Sequence, residues 1–286
     1  MSIIGVSVLN YVDYEATLKC LASFARCDPL PDYIVVVDNA SPNQSWERLT
    51  EECKNLKNTR LIRAPRNGGF SYGHNIGIRY LRDRGVDHVI LATSDTEVVS
   101  TEIIRVFGAE ATETVGIIGP TIYVPNGSEQ NPSVWQLDMR YWAALAWFMW
   151  GRPGRSLWTS IRGHFPRKRA LVSGEPSTDS LTVYKLHGAF FMLTRAFLNR
   201  YPQLDEDLFM FGEEDLLAWR SREAGLKLRF VPRVRIRHQN DSSINASQAD
   251  QATSFVAEQE ARAAKVLKTK IPLWRLLYSA VTEQLR

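Results

Sequence analysis

Cysteine is scarce in this chain of 286 residues, which contains only Cys20, Cys27 and Cys53. An odd number of cysteines at this low density, with no CxxC spacing, excludes a disulfide-rich scaffold. All three fall in segments with helical patterns. We therefore expect reduced thiols that pack inside the protein or along its helices.

Basic leader segments and long apolar runs are also missing. No Lys or Arg precedes the short apolar stretch of residues 1–9, and Asn10 follows directly, so we predict no secretory signal and expect a cytoplasmic protein. The apolar run Trp142–Trp150 is too short for a spanning helix, which needs about 20 apolar residues. No internal repeat divides the chain, and its 44% hydrophobic content allows a substantial core.

The glycine signatures of two large nucleotide-binding classes are absent as well. Asn10-Tyr11-Val12-Asp13 follows the first predicted strand, where a dinucleotide-binding protein has G-x-G-x-x-G, and no P-loop occurs. This argues against a nicotinamide-dependent dehydrogenase. Glycines do occur in the stretch Asn67–Gly77. They allow either a close backbone approach to a ligand or a tight entry into a helix.

Positive charge is concentrated in one segment. Between Met139 and Gly174 there is no acidic residue and seven basic ones: Arg140, Arg152, Arg155, Arg162, Arg167, Lys168 and Arg169. Without them the formal net charge of +4 becomes −3, so the basic character belongs to an insertion, about residues 126–182. This distribution argues against a protein that coats nucleic acid, and no other feature supports nucleic-acid binding.

The same insertion is rich in tryptophan. It holds five of the eight in the chain: Trp135, Trp142, Trp147, Trp150 and Trp158. Tryptophan beside arginine is typical of a surface anchor that faces anionic lipid. The segment Ile271–Tyr278 offers a second contact of this kind. The alternative is that the aromatic residues form a dimer interface or a core lid over a bound substrate.

Apolar strand-like runs alternate with helical stretches over the first 120 residues. The predicted strands are Ile3–Leu9, Tyr33–Val37, Arg60–Ala64, His88–Ala92 and Val115–Gly119. After the insertion we predict a strand Val183–Leu193, a helix Glu213–Ala224, a strand pair broken by Pro232 that ends at His238, and helices at about Ala246–Lys268 and Ile271–Leu285. The pattern predicts an α/β fold with a mixed, mostly parallel central sheet flanked by helices.

Acidic residues follow two of the predicted strands, and a third acidic group begins a helix. Asp38 and Asp95 follow buried strands, where parallel sheets bind ligands, and Glu213-Glu214-Asp215 begin the helix near residue 213. Asp38 can accept a hydrogen bond from a base or ribose, and Asp95 can share a divalent cation with phosphates. The acids at the helix start also fit a purely structural role, because they face the positive end of the macrodipole.

Taken in order, these pieces resemble glycosyltransferase family 2, the inverting enzymes with the GT-A fold, and especially its rhamnosyltransferase-like branch. The resemblance covers roughly Ile3–Gln239 with one interruption. It is carried by Val36–Ser41, Asn67–Gly77, Asp95–Val98, His187–Ala189, Phe209–Arg220 and His238.

The resemblance implies a role for each matching residue. Asp38 would contact a pyrimidine base, and Asp95 and His238 would hold Mg²⁺ or Mn²⁺. Glu214 would be the catalytic base, with Glu213 as the alternative because the helix reads Glu-Glu-Asp-Leu where many relatives have Glu-Asp-x-Asp. Thr93 replaces the first acid of the metal motif. The remaining implied nucleotide-sugar contacts are Asn10, Asn67, Gly69, Asn75, Ser94, Gly188 and Ala189.

We therefore expect a metal-dependent, inverting transfer of a sugar from a UDP- or dTDP-sugar to a hydroxyl of a glycan or lipid-linked saccharide in cell-surface polysaccharide synthesis. One base and one displacement imply inversion. The catalytic domain would span residues 1–240 and a helical extension residues 241–286. Peripheral attachment to the cytoplasmic face of a membrane is the expected location. The alternative function is a sugar-nucleotide-binding module without catalysis, which the loss of the first metal-motif acid favours.

Overall fold

The computed structural model describes residues 2–137, 139–149, 179–239 and 249–284. In these ranges the strands are β1 (Ile4–Asn10), β2 (Tyr33–Asp38), β3 (Thr59–Arg63), β4 (His88–Thr93), β5 (Thr96–Val98), β6 (Val115–Tyr123), β7 (Leu181–Val183), β8 (Phe190–Leu193) and β9 (Lys227–His238). The helices are α1 (Tyr14–Phe24), α2 (Ser45–Cys53), α3 (Gly69–Arg82), α4 (Ile103–Glu110), α5 (Met139–Met149), α6 (Arg195–Leu198), α7 (Glu213–Glu223), α8 (Ala249–Lys270) and α9 (Leu273–Gln284).

All the described strands belong to one mixed sheet in the order β3-β2-β1-β4-β8-β6-β9-β5, with β7 paired to β9. The first four are parallel neighbours, whereas β8 runs antiparallel to both β4 and β6. β1 and β4 are buried along nearly their whole length, which explains why they read as unbroken apolar runs. The predicted mixed sheet with flanking helices is confirmed.

Two predicted segments differ in detail. The single strand expected at 183–193 is two strands, β7 and β8, and residues 184–189 between them form the loop that carries His187-Gly188-Ala189. The strand pair expected around Pro232 is one strand, β9, whose register against β6 shifts between Pro120 and Thr121. Proline has no N–H for the sheet ladder, so the strand passes it with a local irregularity instead of ending.

Two apolar clusters form the core of the described chain. The C-terminal helices contribute to the larger cluster, because Leu267, Leu276 and Ala280 are fully enclosed there. The expectation for the cysteines is confirmed: all three are buried free thiols. Burial raises the pKa of Cys20 to about 12 and those of Cys27 and Cys53 to about 11.

Most of the basic insertion, from Arg152 to Arg169, lies outside the described residues. Its described helix α5 packs against α8 and α9. There the indole Nε1 of Trp142 donates to the carbonyl oxygen of Leu273 at 3.0 Å. Within the described ranges, no helix is long and apolar enough to cross a membrane.

Candidate active site

The first polar corner lies where β1 and β2 end side by side, with Asn10 paired to Asp38. The carboxylate of Asp38 accepts from Asn10 Nδ2 at 2.7 Å, from the Ser41 hydroxyl at 2.6 Å and from the Ser41 N–H at 3.1 Å. Asp38 and Asn10 are fully buried. Asp38 therefore fixes the loop that follows β2, and its contact with a pyrimidine base stays a prediction.

The glycine-rich turn before α3 packs against the protein's own backbone. A Cβ atom on Gly69, whose φ is +84°, would lie 2.1 Å from the carbonyl oxygen of Phe209. That oxygen accepts from the N–H of Phe70 at 2.9 Å. The side chain of Asn39 donates to Asn67 Oδ1 at 3.0 Å and to the Gly69 carbonyl at 3.1 Å. Gly69 is thus required for a tight approach between two loops.

Asn75, on α3, anchors the loop that leads into α7. Its Oδ1 accepts from the N–H of Leu204 at 2.7 Å, and its Nδ2 donates to the Leu204 carbonyl at 3.1 Å and to Glu206 Oε1 at 2.8 Å. Both amide donors are engaged, which gives Asn75 a structural part in the site. Its predicted contact with the nucleotide sugar remains untested.

Asp95 and His238, distant in sequence, are brought together by the pairing of β5 with the end of β9. His238 Nε2 lies 3.2 Å from Asp95 Oδ2, and Thr93 donates to Asp95 Oδ1 at 2.6 Å. Burial acts to raise the pKa of Asp95, but the hydrogen bond and charge of His238 and the hydroxyl of Thr93 outweigh it and lower the pKa. Gln130 lies 2.7 Å from His238 Nδ1 and orients the ring. Ser94, beside Asp95, is buried.

The donor atoms of Asp95 and His238 fit a divalent cation that is shared with a substrate. Their Oδ2 and Nε2 atoms face each other, while Thr93 and Gln130 bind the far sides of the two groups. Mg²⁺ and Mn²⁺ commonly take one or two protein ligands and complete their shell with phosphates and water. In the described ranges, no cluster of three or more His, Cys, Asp or Glu could hold a metal ion by itself.

The three acids at the start of α7 have different surroundings. Glu214 Oε1 accepts from the N–H of Gly188 at 3.2 Å. Asp215 Oδ1 accepts from Lys185 Nζ at 2.8 Å and from the hydroxyl of Tyr141. Glu213 Oε2 is enclosed and has no hydrogen-bond partner among the residues that the structure describes. Burial and the neighbouring charge of Glu214 raise the pKa of Glu213 well above its ordinary value.

A short chain of contacts joins the two halves of the site. Gly188, which binds Glu214, is followed by Ala189, whose carbonyl accepts from the N–H of Thr93 at 3.0 Å. Thr93 in turn binds Asp95. The predicted base and the predicted cation ligands therefore lie at the same edge of the sheet.

Sequence reasoning missed the residues that support this edge. Gln130 binds His238, Asn131 Oδ1 accepts from the N–H of His187 at 2.7 Å, and Lys185 and Tyr141 bind Asp215. These residues come from the insertion and the loop after β7. No spacing pattern in the sequence links them to the acids that they contact.

A mixed sheet of this order, with acids beyond the carboxyl ends of β2 and β4 and at a following helix, is the architecture of a GT-A glycosyltransferase. Comparison with known families agrees. Residues 4–169, more than half of the chain, match glycosyl transferase family 2, and the chain belongs to that family.

Individual relatives share a quarter or less of their aligned residues with this chain. The low-salt glycan biosynthesis hexosyltransferase Agl10 of Haloferax volcanii is 25% identical over 226 residues, which are 79% of this chain and 63% of that protein. A crystal structure of GalNAc-T7 with UDP, GalNAc and Mn²⁺ superposes with a TM-score of 0.60 at 16% identity, over 85% of this chain and 46% of that one. The crystal structure of S. aureus TarS 1-349 with UDP-GlcNAc superposes with a TM-score of 0.53 at 14% identity. The match covers 90% of this chain and 66% of that one. At such identities the solved structures show the fold alone.

Proposed function

We propose that this protein is an inverting hexosyltransferase that moves a sugar from a UDP- or dTDP-sugar to a hydroxyl of a glycan or lipid-linked saccharide. The observation that carries the proposal is the contact chain from Glu214 through Gly188, Ala189 and Thr93 to Asp95. It supports a base and a leaving-group site at one edge of the sheet. A single displacement between them inverts the anomeric carbon.

Glu214 is the base in this proposal because the acids on either side of it are less suited to accept a proton. Asp215 is engaged by a cation and a hydroxyl. The enclosed Oε2 of Glu213 favours a protonated, neutral side chain. Glu214 is held only by a backbone N–H in the contacts described above, which leaves its second oxygen to accept the proton of the acceptor hydroxyl.

The donor is proposed to lie along the edge from β2 to β4. Its base would bind at the loop that Asp38 fixes, and its diphosphate would lie near Asp95 and His238, which would hold Mg²⁺ or Mn²⁺. When bound, such a cation stabilises the negative charge that develops on the leaving nucleoside diphosphate. The UDP and Mn²⁺ in the GalNAc-T7 structure and the UDP-GlcNAc bound to TarS support this class of donor.

The proposed acceptor follows from the name of a relative. The name of the Haloferax relative, a glycan biosynthesis hexosyltransferase, supports transfer of a hexose during the synthesis of a glycan. We propose that this glycan is a cell-surface polysaccharide. Because this chain spans 63% of that relative, the acceptor and the linkage are proposed at the level of a class only. A rhamnosyl donor is included among the hexosyl donors to be tested.

The decisive experiment compares Glu214→Gln with Glu213→Gln. Release of UDP or dTDP is followed with UDP-glucose, UDP-galactose, UDP-GlcNAc and dTDP-rhamnose in Mn²⁺, and calorimetry measures binding of UDP and dTDP. We expect Glu214→Gln to lose turnover and keep nucleotide binding, since the amide preserves shape but accepts no proton. If Glu213→Gln is inactive and Glu214→Gln is active, the base is Glu213. Nucleotide binding without turnover in the wild type would favour a non-catalytic binding module.

We further propose that the protein attaches peripherally to the cytoplasmic face of a membrane through α9. Trp274, Tyr278 and Val281 are 68%, 71% and 40% exposed and recur at helical spacing, so they share one face. The opposite face of α9 is buried. Residues 262–286 carry one acidic residue, Glu283, and six basic ones: Arg262, Lys265, Lys268, Lys270, Arg275 and Arg286. In the sequence these basic residues flank the exposed aromatics, a composition that fits an anionic lipid surface. Two of them, Lys270 and Arg275, also pair with acidic side chains of the protein.

Sedimentation with phosphatidylglycerol and phosphatidylcholine vesicles tests the attachment. We expect binding to the anionic vesicles that falls with salt, because each Lys or Arg near the surface contributes about 1 kcal/mol. Trp274→Ala/Tyr278→Ala should weaken it. The matched control, Leu30→Ala/Leu56→Ala, removes two exposed apolar side chains elsewhere and should not. Equal recovery with both vesicle types, or a dimer that the aromatic variant converts to a monomer, would contradict the proposal.

A further inference from the structure

Lys185 is an enclosed cation beside the start of α7. Its Nζ lies 2.8 Å from Asp215 Oδ1, and the two side chains are only 9% and 14% exposed. The hydroxyl of Tyr141 donates to the same oxygen, and the ammonium lies 5.5 Å from the centre of the Tyr141 ring. Enclosing two charges is costly unless they are paired and hydrogen-bonded. The reaction proposed above does not use the ion pair of Lys185 and Asp215.

The first turn of α7 has little support of its own. Its N-cap is Gly212, with φ of +83° and no side chain to bind the free N–H groups of the turn. Three successive acids, Glu213, Glu214 and Asp215, follow. They face the favourable end of the helix dipole, but they also repel one another. The turn must therefore be held by contacts from outside the helix.

One segment supplies two of these contacts. Lys185 binds Asp215, and three residues later the N–H of Gly188 binds Glu214 Oε1 at 3.2 Å. The segment is itself anchored, because the N–H and carbonyl of Lys185 exchange hydrogen bonds of 3.0 and 3.2 Å with the backbone of Val134. The first turn of α7 is thus attached at two points to a loop that is hydrogen-bonded to Val134 and borders the site.

We propose that Lys185 is a positioning residue for the catalytic base: its pairing with Asp215 fixes the first turn of α7 so that Glu214 stays at Gly188, beside the sheet edge. The inference rests on the proposed role of Glu214. The cation also offsets the charge of the acidic cluster. Burial and Glu214 raise the pKa of Glu213, and Lys185 acts in the opposite direction.

The test uses Lys185→Met in the full chain, with release of UDP or dTDP from the same nucleotide sugars. We expect kcat to fall at least about tenfold while calorimetry shows an unchanged Kd for the nucleotide, because the donor side of the site is untouched. Lys54→Met, which removes an exposed pair with Glu51, is the matched control and should change neither.

A double variant separates positioning from a simple loss of fold. Lys185→Met/Asp215→Asn leaves no unpaired buried charge, so it should fold stably. Its kcat should nevertheless stay low, because the attachment of the first turn of α7 through residue 185 is gone. Wild-type kcat in the double variant, or in Lys185→Met with only a lower Tm, would overturn the inference. A fully active Glu214→Gln would instead overturn the proposed function.

Discussion

Gly188→Ala tests whether the position of Glu214 controls catalysis. A Cβ atom on Gly188 would lie 2.9 Å from Glu214 Oε1 and 3.2 Å from its Cδ, whereas ordinary contact begins near 3.4 Å. The carboxylate must therefore move by about 0.5 Å or more and weaken its 3.2 Å hydrogen bond to the Gly188 N–H. A displacement approaching 1 Å at a reacting group can cost about 100-fold in rate. We expect kcat to fall by about 10- to 100-fold.

Stability should change little, because the atoms that must move are the end of a flexible side chain. Thermal denaturation should therefore show a Tm close to that of the wild type, and nucleotide binding by calorimetry should be retained. Gly108→Ala, on α4, is the matched control. The nearest atom that its new Cβ would meet is Ile4 Cδ1, at 3.3 Å. Wild-type kcat in Gly188→Ala, with Glu214→Gln inactive, would refute the link between the position of the carboxylate and the rate.

Asp95→Asn and excess EDTA should each abolish turnover while the fold stays intact. His238→Ala should reduce metal-dependent turnover less than Asp95→Asn does. Full turnover in EDTA would contradict the role of the cation. Burial lowers the pKa of His74 from 6.5 to about 3. Below pH 6.5 the unfolded chain therefore takes up a proton at His74 that the folded chain does not. Urea denaturation should show that the free energy of unfolding falls by about 2 kcal/mol between about pH 7 and 5. This fall should be absent in His74→Gln. Asn75→Ala should lower stability by about 3 kcal/mol in the same assay, because the buried N–H and carbonyl of Leu204 lose their partners; an unchanged midpoint would refute that role.

The sheet edge could be predicted because its signals are local. A buried parallel strand reads as an apolar run, and the polar residue that ends it marks the binding edge, as at Asp38 and Asp95. The pairing of Asp95 with His238 required the family resemblance, since 143 positions separate them. The structure brings their side chains to 3.2 Å.

The supports of the site could not be predicted because they depend on contacts between distant segments. The apolar residues on both sides of residues 184–189 predicted one continuous strand. The chain instead leaves the sheet there, and Lys185 turns to Asp215. Gln130 lies in a polar stretch with no periodicity, yet it orients His238. Side-chain partners of this kind are set by tertiary packing, which neither propensity nor spacing encodes.

The loop of residues 204–212 leads into the turn of α7 that carries both candidate bases, Glu213 and Glu214. This loop enters α7 between two elements that are remote along the chain. On one side its Phe209 carbonyl closes on Gly69, and on the other Gly212 packs against Leu267 of α8, with Lys270 bound to Asp205 at 3.1 Å. The loop is thus held from both sides where it enters α7. In the first turn of α7, Glu213 Oε2 is enclosed and Glu214 contacts the N–H of Gly188. The helices beyond residue 240 therefore help to hold the entry to the turn that carries both candidate bases, although they lie outside the motifs that define the family.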